Sequence, residues 1–180
     1  MAFVQNTYQQ LSFVDSLNHL SERERKLLDR SWAKPFGDDI FPKIDERKFA
    51  DFYSDRSPRP NTPVNIVLGG MLLEELLDMT DDEMIETLNF DVRFQYALHT
   101  TVYDNQPFST NTFRRFRARN EANTEKTGED LLGTYMKELI SLVMNSADPR
   151  LNPLLRRIRE KQRAAGGSGK QESRHLEQQV

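Results

Sequence analysis

The chain has 180 residues, 37% of them hydrophobic, a formal net charge of −3 and no cysteine. That length suits one domain with its own core, and the lack of cysteine excludes disulfides and thiolate metal sites. No apolar run approaches the ~20 residues of a membrane-spanning helix, and Met1-Ala-Phe-Val-Gln-Asn6 lacks the basic-then-apolar order of a signal peptide, so a soluble cytoplasmic protein is expected.

The charge is unevenly spread. Residues 1–106 carry 11 Lys+Arg against 19 Asp+Glu, a net of −8, whereas residues 107–180 carry 14 against 9, a net of +5. Such asymmetry marks the second half as a candidate for a polyanionic partner; the alternative is an acidic core packed beside a basic helix.

Residues 1–20 mix aromatic and polar side chains without a sustained period and read as an N-terminal arm. Ser21-Glu-Arg-Glu24 has the spacing of a capping box, so a helix is expected to start there, run to about Trp32 and stop at Pro35 and Gly37. Asp45 is placed to cap a second helix, with Phe49, Phe52 and Tyr53 on its buried side. Residues 55–63 hold three prolines within six positions, which forbids a continuous helix. Thr62 and Pro63 then form an N-cap and first-turn pair. The run from Val64 to Leu77 is apolar on nearly all sides, the pattern of a buried central helix. Gly69 and Gly70 lie inside it at a cost of roughly 1 kcal/mol each in helix propensity, which close approach of a neighbouring helix would explain.

Thr80-Asp-Asp-Glu83 is a second capping box, with Met84, Ile85, Leu88 and Phe90 along the apolar side of its helix. Asp91 can cap a further short helix, and 100–106 reads as a loop. Pro107-Phe-Ser-Thr-Asn-Thr-Phe-Arg-Arg-Phe-Arg-Ala-Arg119 follows, a short helix with Ser109 as its N-cap. At roughly 100° per residue, Phe113 and Phe116 share one face, with Asn111, Arg114, Arg115, Ala118 and Arg119 on the other. Thr127-Gly-Glu-Asp130 opens a longer helix ended by Pro149, and Asn152-Pro153 opens a last one with a basic outer side. Residues 164–169 are Gly/Ala-rich, and the remainder reads as a flexible tail. With no clean strand alternation, the fold class expected is all-α: a compact multi-helix domain with a helix-turn-helix-like element and a flexible C-terminal tail.

Chemistry-bearing motifs are scarce. His19, His99 and His175 are isolated from one another, and there is no nucleophile elbow, zinc-protease helix or dinucleotide fingerprint. The acidic run from Glu74 to Asp91 invites a two-metal reading, but capping accounts for Asp81, Asp82 and Glu83. No metal, cofactor or catalytic residue is therefore assigned. What remains is two short helices (80–90 and 91–99), a loop and an arginine helix, an order that suits presentation of a last helix to DNA. In that reading Arg114, Arg115 and Arg119 meet phosphates or guanine edges, Asn111 meets an adenine edge, and Ser109, Thr110 and Thr112 meet phosphate. The alternative is a solvated cationic face paired with the acidic 74–91 segment. Arg117, near the aromatic edge, is expected to be a structural ion-pair partner.

Tyr53…Arg59-Pro60, the apolar helix Ile66–Leu77, Met79-Thr-Asp-Asp-Glu-Met-Ile-Glu86, Phe94-Gln-Tyr-Ala-Leu98 and Pro107…Ser109…Thr112-Phe-Arg-Arg-Phe-Arg117, in that order and spacing, resemble the N-terminal domain of bacterial insertion-sequence transposases of the DDE class. Thr127-Gly…Asp130-Leu-Leu132 is similar to that family's continuation, so the resemblance covers roughly 40–145. It implies a helical domain that binds transposon ends, followed by a ribonuclease-H-like domain with three carboxylates and two Mg²⁺ ions. This chain departs from that plan at Ala147-Asp-Pro-Arg-Leu-Asn-Pro153, where a proline after Asp148 fits a central strand poorly and too few residues follow for the catalytic fold. The expected organisation is an arm (1–20), a helical transposase N-terminal domain (21–146), a basic helical extension (147–163) and a tail (164–180). The expected function is non-catalytic DNA binding at the nucleoid, and a homodimer or a catalytic transposase subunit is a possible further partner. The alternatives are a helical interaction or dimerisation module and, more remotely, a metal-dependent nuclease built on the acidic segment.

Overall fold

The structure, a computed structural model, describes residues 2–6, 15–53, 61–103, 106–107, 109–156 and 158–160. The tail expected at 164–180 and most of the proline-rich loop lie outside these residues. Ser21 and Glu24 form the capping box their spacing predicts: Ser21 N–H donates to Glu24 Oε2 at 2.8 Å, and Glu24 N–H donates to Ser21 Oγ at 3.3 Å. They start α1, Glu22–Arg30.

Pro35 and Gly37 do not stop the chain from being helical. After Ser31 and Trp32, Ala33–Pro35, Phe36–Ile40 and Phe41–Lys43 run on as one irregular helix of α, π and 3-10 turn, together α2. Pro35 sits in the first turn, where its missing N–H leaves no intrahelical bond unmade. Gly37 packs so closely on Tyr96 that a Cβ there would stand 3.0 Å from the Tyr96 carbonyl oxygen. Asp45 caps the next element by accepting from Arg47 N–H, but that element, Glu46–Phe52, is a 3-10 helix.

Helix α3, Val64–Leu77, is the buried centre that its composition predicts. Its cap differs from expectation. Pro63, not Thr62, is the N-cap, and no side-chain bond is made there. Instead the buried Glu46 carboxylate accepts from Asn65 N–H at 3.3 Å and Asn65 Oδ1 accepts from Ile66 N–H at 2.9 Å, satisfying two of the orphan donors of the first turn. Glu46 also accepts from Asn6 N–H, and Asn61 Oδ1 from Val4 N–H, so residues 2–6 are pinned to the start of α3. A Cβ at Gly69 would meet Leu98 Cδ2 at 2.7 Å and the Phe41 ring at 3.2 Å, so this glycine does let neighbouring elements approach closely.

Thr80 and Glu83 box the start of α4, Asp81–Phe90, and Asp91 caps α5, Val92–Ala97. Helix α6, Thr110–Thr127, is longer than the arginine-rich stretch suggested, because residues 120–127 contain no breaker before Gly128. Asp130 accepts from Gly133 N–H and caps α7, Leu131–Met144. The chain then makes a 3-10 turn at Pro149–Leu151 and is helical again at 152–156 and 158–160. Leu151, Leu154, Leu155 and Ile158 are buried in the same core as α3, so the basic extension is docked on the domain. Among the described residues there is no strand, and no helix is long and apolar enough to cross a membrane.

Candidate nucleic-acid interface

Helix α6 is fixed by its aromatic side. Phe113 and Phe116 are fully buried, with Phe116 ring centroids 5.4 Å from Phe49 and 5.5 Å from Phe52. The helix rests mainly on α3, α4, α7 and the 46–52 turn, while α5 rests mainly on α2 and α4. Residues 98–109 separate α5 from α6, a connection longer than the three or four residues of a helix-turn-helix. The three helices follow the expected order.

Of the seven predicted contact residues, Thr110 is half-buried in the first turn of α6, and the other six divide into three groups. Ser109 is the N-cap, and its N–H donates to Thr112 Oγ1 at 3.2 Å, so Thr112 serves the helix start. Asn111, Arg114 and Arg115 are exposed, with Arg114 Nη2 donating to Asn111 Oδ1 at 2.7 Å. Arg119 is only partly exposed, its guanidinium carbon 4.6 Å from the Tyr53 ring centroid, a cation–π contact that uses it structurally. Among the arginines of α6, Arg114 and Arg115 are thus the exposed ones.

Arg117 is the ion-pair partner that its position predicts. Its Nη1 donates to Asp81 Oδ2 at 2.7 Å and its Nη2 to Glu74 Oε2 at 3.0 Å, joining α6 to α4 and α3. Its guanidinium also lies 5.7 Å from the Phe113 ring. Glu74 is only 6% exposed and its Oε1 is buried without a hydrogen-bond partner among the described residues. Burial and the neighbouring Asp81 charge push the Glu74 carboxyl up to about 7, and Arg117 only partly offsets them. A groove lined by Asp81, Asp82, Thr110, Asn111, Arg114, Arg117 and Glu121 runs between α4 and α6. The charge of this groove is mixed, with the guanidiniums of Arg114 and Arg117 set among the carboxylates of Asp81, Asp82 and Glu121.

Two groups escaped the sequence reading. Glu74 carried a visible signal, since a carboxylate inside an otherwise apolar buried helix needs a cationic partner. Buried Asn120 carried none. It donates to Asp130 Oδ1 at 2.8 Å and accepts from Leu132 N–H at 2.9 Å, fastening α6 to the start of α7. The two-metal reading of 74–91 gains no support, as no group of three or more His, Asp or Glu side chains among the described residues is arranged to hold a metal. Asp148 stands at a 3-10 turn and pairs with Arg150 at 2.6 Å, in no strand.

Residues 33–119 match the family model described as Transposase domain (DUF772). The match runs from the start of α2 to Arg119 in α6 and so includes every predicted contact residue. No curated protein and no solved structure gives a significant match.

Proposed function

With residues 33–119 matching a transposase domain, we propose that this chain is a DNA-binding module of an insertion-sequence transposase, recognising transposon ends through the first half of α6 and performing no chemistry on its own. The observation that carries this reading is the placement of Arg114 and Arg115, exposed on a helix whose other side is locked into the core by Phe113 and Phe116. A rigid helix with two solvated arginines can neutralise phosphates without rearranging. Asn111 beside Arg114 adds a side chain able to bond a base edge.

The test is a double substitution, Arg114→Ala with Arg115→Ala, assayed against duplex DNA over a range of salt concentrations. Loss of two phosphate contacts flattens the slope of log affinity against log salt by about 2. Substituting Lys26, which pairs with Glu22 on α1, serves as the control. Affinity at low salt unchanged by the double substitution sinks the assignment to this face.

A second reading is a module that dimerises or docks onto a catalytic transposase subunit. It is favoured by Phe90, 84% exposed at the end of α4, and by Leu27, 57% exposed on α1. Light scattering that finds a dimer, with no retardation of random-sequence DNA, supports this reading over the first.

A further inference from the structure

The groove between α4 and α6 brings together two things with no evident need of each other: the exposed DNA-facing residues and a buried carboxylate. Asn111 and Arg114 line it from α6. Arg117 lines it too, with its side chain 41% exposed, yet the same guanidinium reaches down to Glu74, whose side chain is 7% exposed. Arg117 therefore links the solvated face of α6 to the interior of α3.

This link is poorly balanced. One guanidinium serves two carboxylates, Asp81 at 2.7 Å and Glu74 at 3.0 Å. The remaining Glu74 oxygen, Oε1, has no partner at all among the described residues. Protonation of Glu74 removes the charge that burial penalises. The charged groups around this cluster are Glu74, Glu75 and Asp78 from α3 and its end, Asp81 and Asp82 from α4, Arg114, Arg117 and Glu121 from α6, and Lys137 from α7. Carboxylates predominate, so any further negative charge makes the ionised form of Glu74 harder to keep.

We propose that binding of a DNA phosphate on the first half of α6 is coupled to uptake of a proton by Glu74, with Arg117 as the connecting residue. The inference rests on the DNA-binding reading of α6. A phosphate at Arg114 adds negative charge to the groove and competes with Glu74 for the Arg117 guanidinium. Both effects favour protonation of Glu74, and by reciprocity protonated Glu74 favours phosphate binding. The Glu74 carboxyl, already raised to about 7 by burial, titrates where such coupling is felt near neutral pH. Affinity for DNA then falls as pH rises, apart from any effect of the histidines.

The experiment is fluorescence anisotropy with a labelled random-sequence duplex at low salt, on the full chain, from about pH 6 to about pH 9. Calorimetric titration near pH 7 in two buffers of different ionisation enthalpy counts the protons taken up. Expected for the wild type is a loss of affinity of about tenfold across that range beyond the loss seen in Glu74→Gln, with a buffer-dependent binding heat that Glu74→Gln abolishes. Asp81→Asn, which leaves Arg117 to Glu74 alone, shifts the uptake to lower pH. It reports the coupling even if Glu74→Gln does not fold. DNA binding with no proton uptake, or with uptake that persists in Glu74→Gln and does not move in Asp81→Asn, overturns the proposal and leaves the DNA-binding reading standing. No binding by the wild type overturns both.

Discussion

Glu74→Gln gives the clearest stability prediction. In the unfolded chain Glu74 has the ordinary carboxyl value of 4.5, and in the folded protein burial and Asp81 hold it at about 7. A carboxyl raised on folding favours the folded state below about pH 4.5, and that contribution is lost as pH rises through about 7. Between about pH 5 and about pH 8 the Glu74 ionisation therefore removes on the order of 2.5 kcal/mol of stability, each pH unit of displacement being worth about 1.4 kcal/mol. Glutamine keeps an acceptor for Arg117 and cannot ionise, so the variant lacks this loss. Urea unfolding of wild type and Glu74→Gln at both pH values checks it. The variant is expected to be near wild type at the lower pH and about 2 kcal/mol more stable at the higher one. The same difference between the two proteins at both pH values refutes the reasoning, since a purely steric or packing effect has no reason to change with pH. A variant less stable than wild type at the higher pH refutes it more directly, by showing that the Arg117–Glu74 attraction outweighs the burial of the charge.

Other substitutions test the scaffold around α6. Asn120→Ala leaves Leu132 N–H without its acceptor and removes a partner of Asp130, so a loss of about 1–3 kcal/mol is expected by chemical denaturation, with α6 itself still formed by circular dichroism. Gly69→Ala is expected to destabilise by about 1–3 kcal/mol despite its better helix propensity, because the added methyl meets the fully buried Leu98 at 2.7 Å; a thermal midpoint at or above wild type would show that the neighbours yield. Phe116→Ala removes a ring packed on Phe49 and Phe52 and should cost about 3–5 kcal/mol by chemical denaturation.

The local signals in this chain were strong and mostly decisive. Ser21 with Glu24, Thr80 with Glu83, and Asp91 each cap the helix their spacing announced, because a cap is a contact between residues two or three apart and needs nothing from the rest of the molecule. The all-round apolar character of 64–77 likewise fixed α3 as the central helix. Where sequence reasoning failed, the deciding contact came from far along the chain. Pro35 and Gly37 read as a stop, yet the chain stays helical through 33–43, with Gly37 packed against Tyr96. Thr62 read as a cap, yet Glu46 supplies an acceptor for the start of α3.

Helix α6 shows the same division. Its two-sided character, aromatic within and cationic without, was fixed by helical periodicity, and the ion-pair role of Arg117 followed from the edge it occupies. Which arginines are left for a partner was not. Arg119 is withdrawn by Tyr53, and Arg117 by Glu74 and Asp81. The contacts involved join residues at least 36 positions apart, and no periodicity in a single helix encodes them. The sequence determined that α6 would carry charge, and the packing of α3, α4 and the 46–52 turn against it decided that Arg114 and Arg115 are the arginines it leaves exposed.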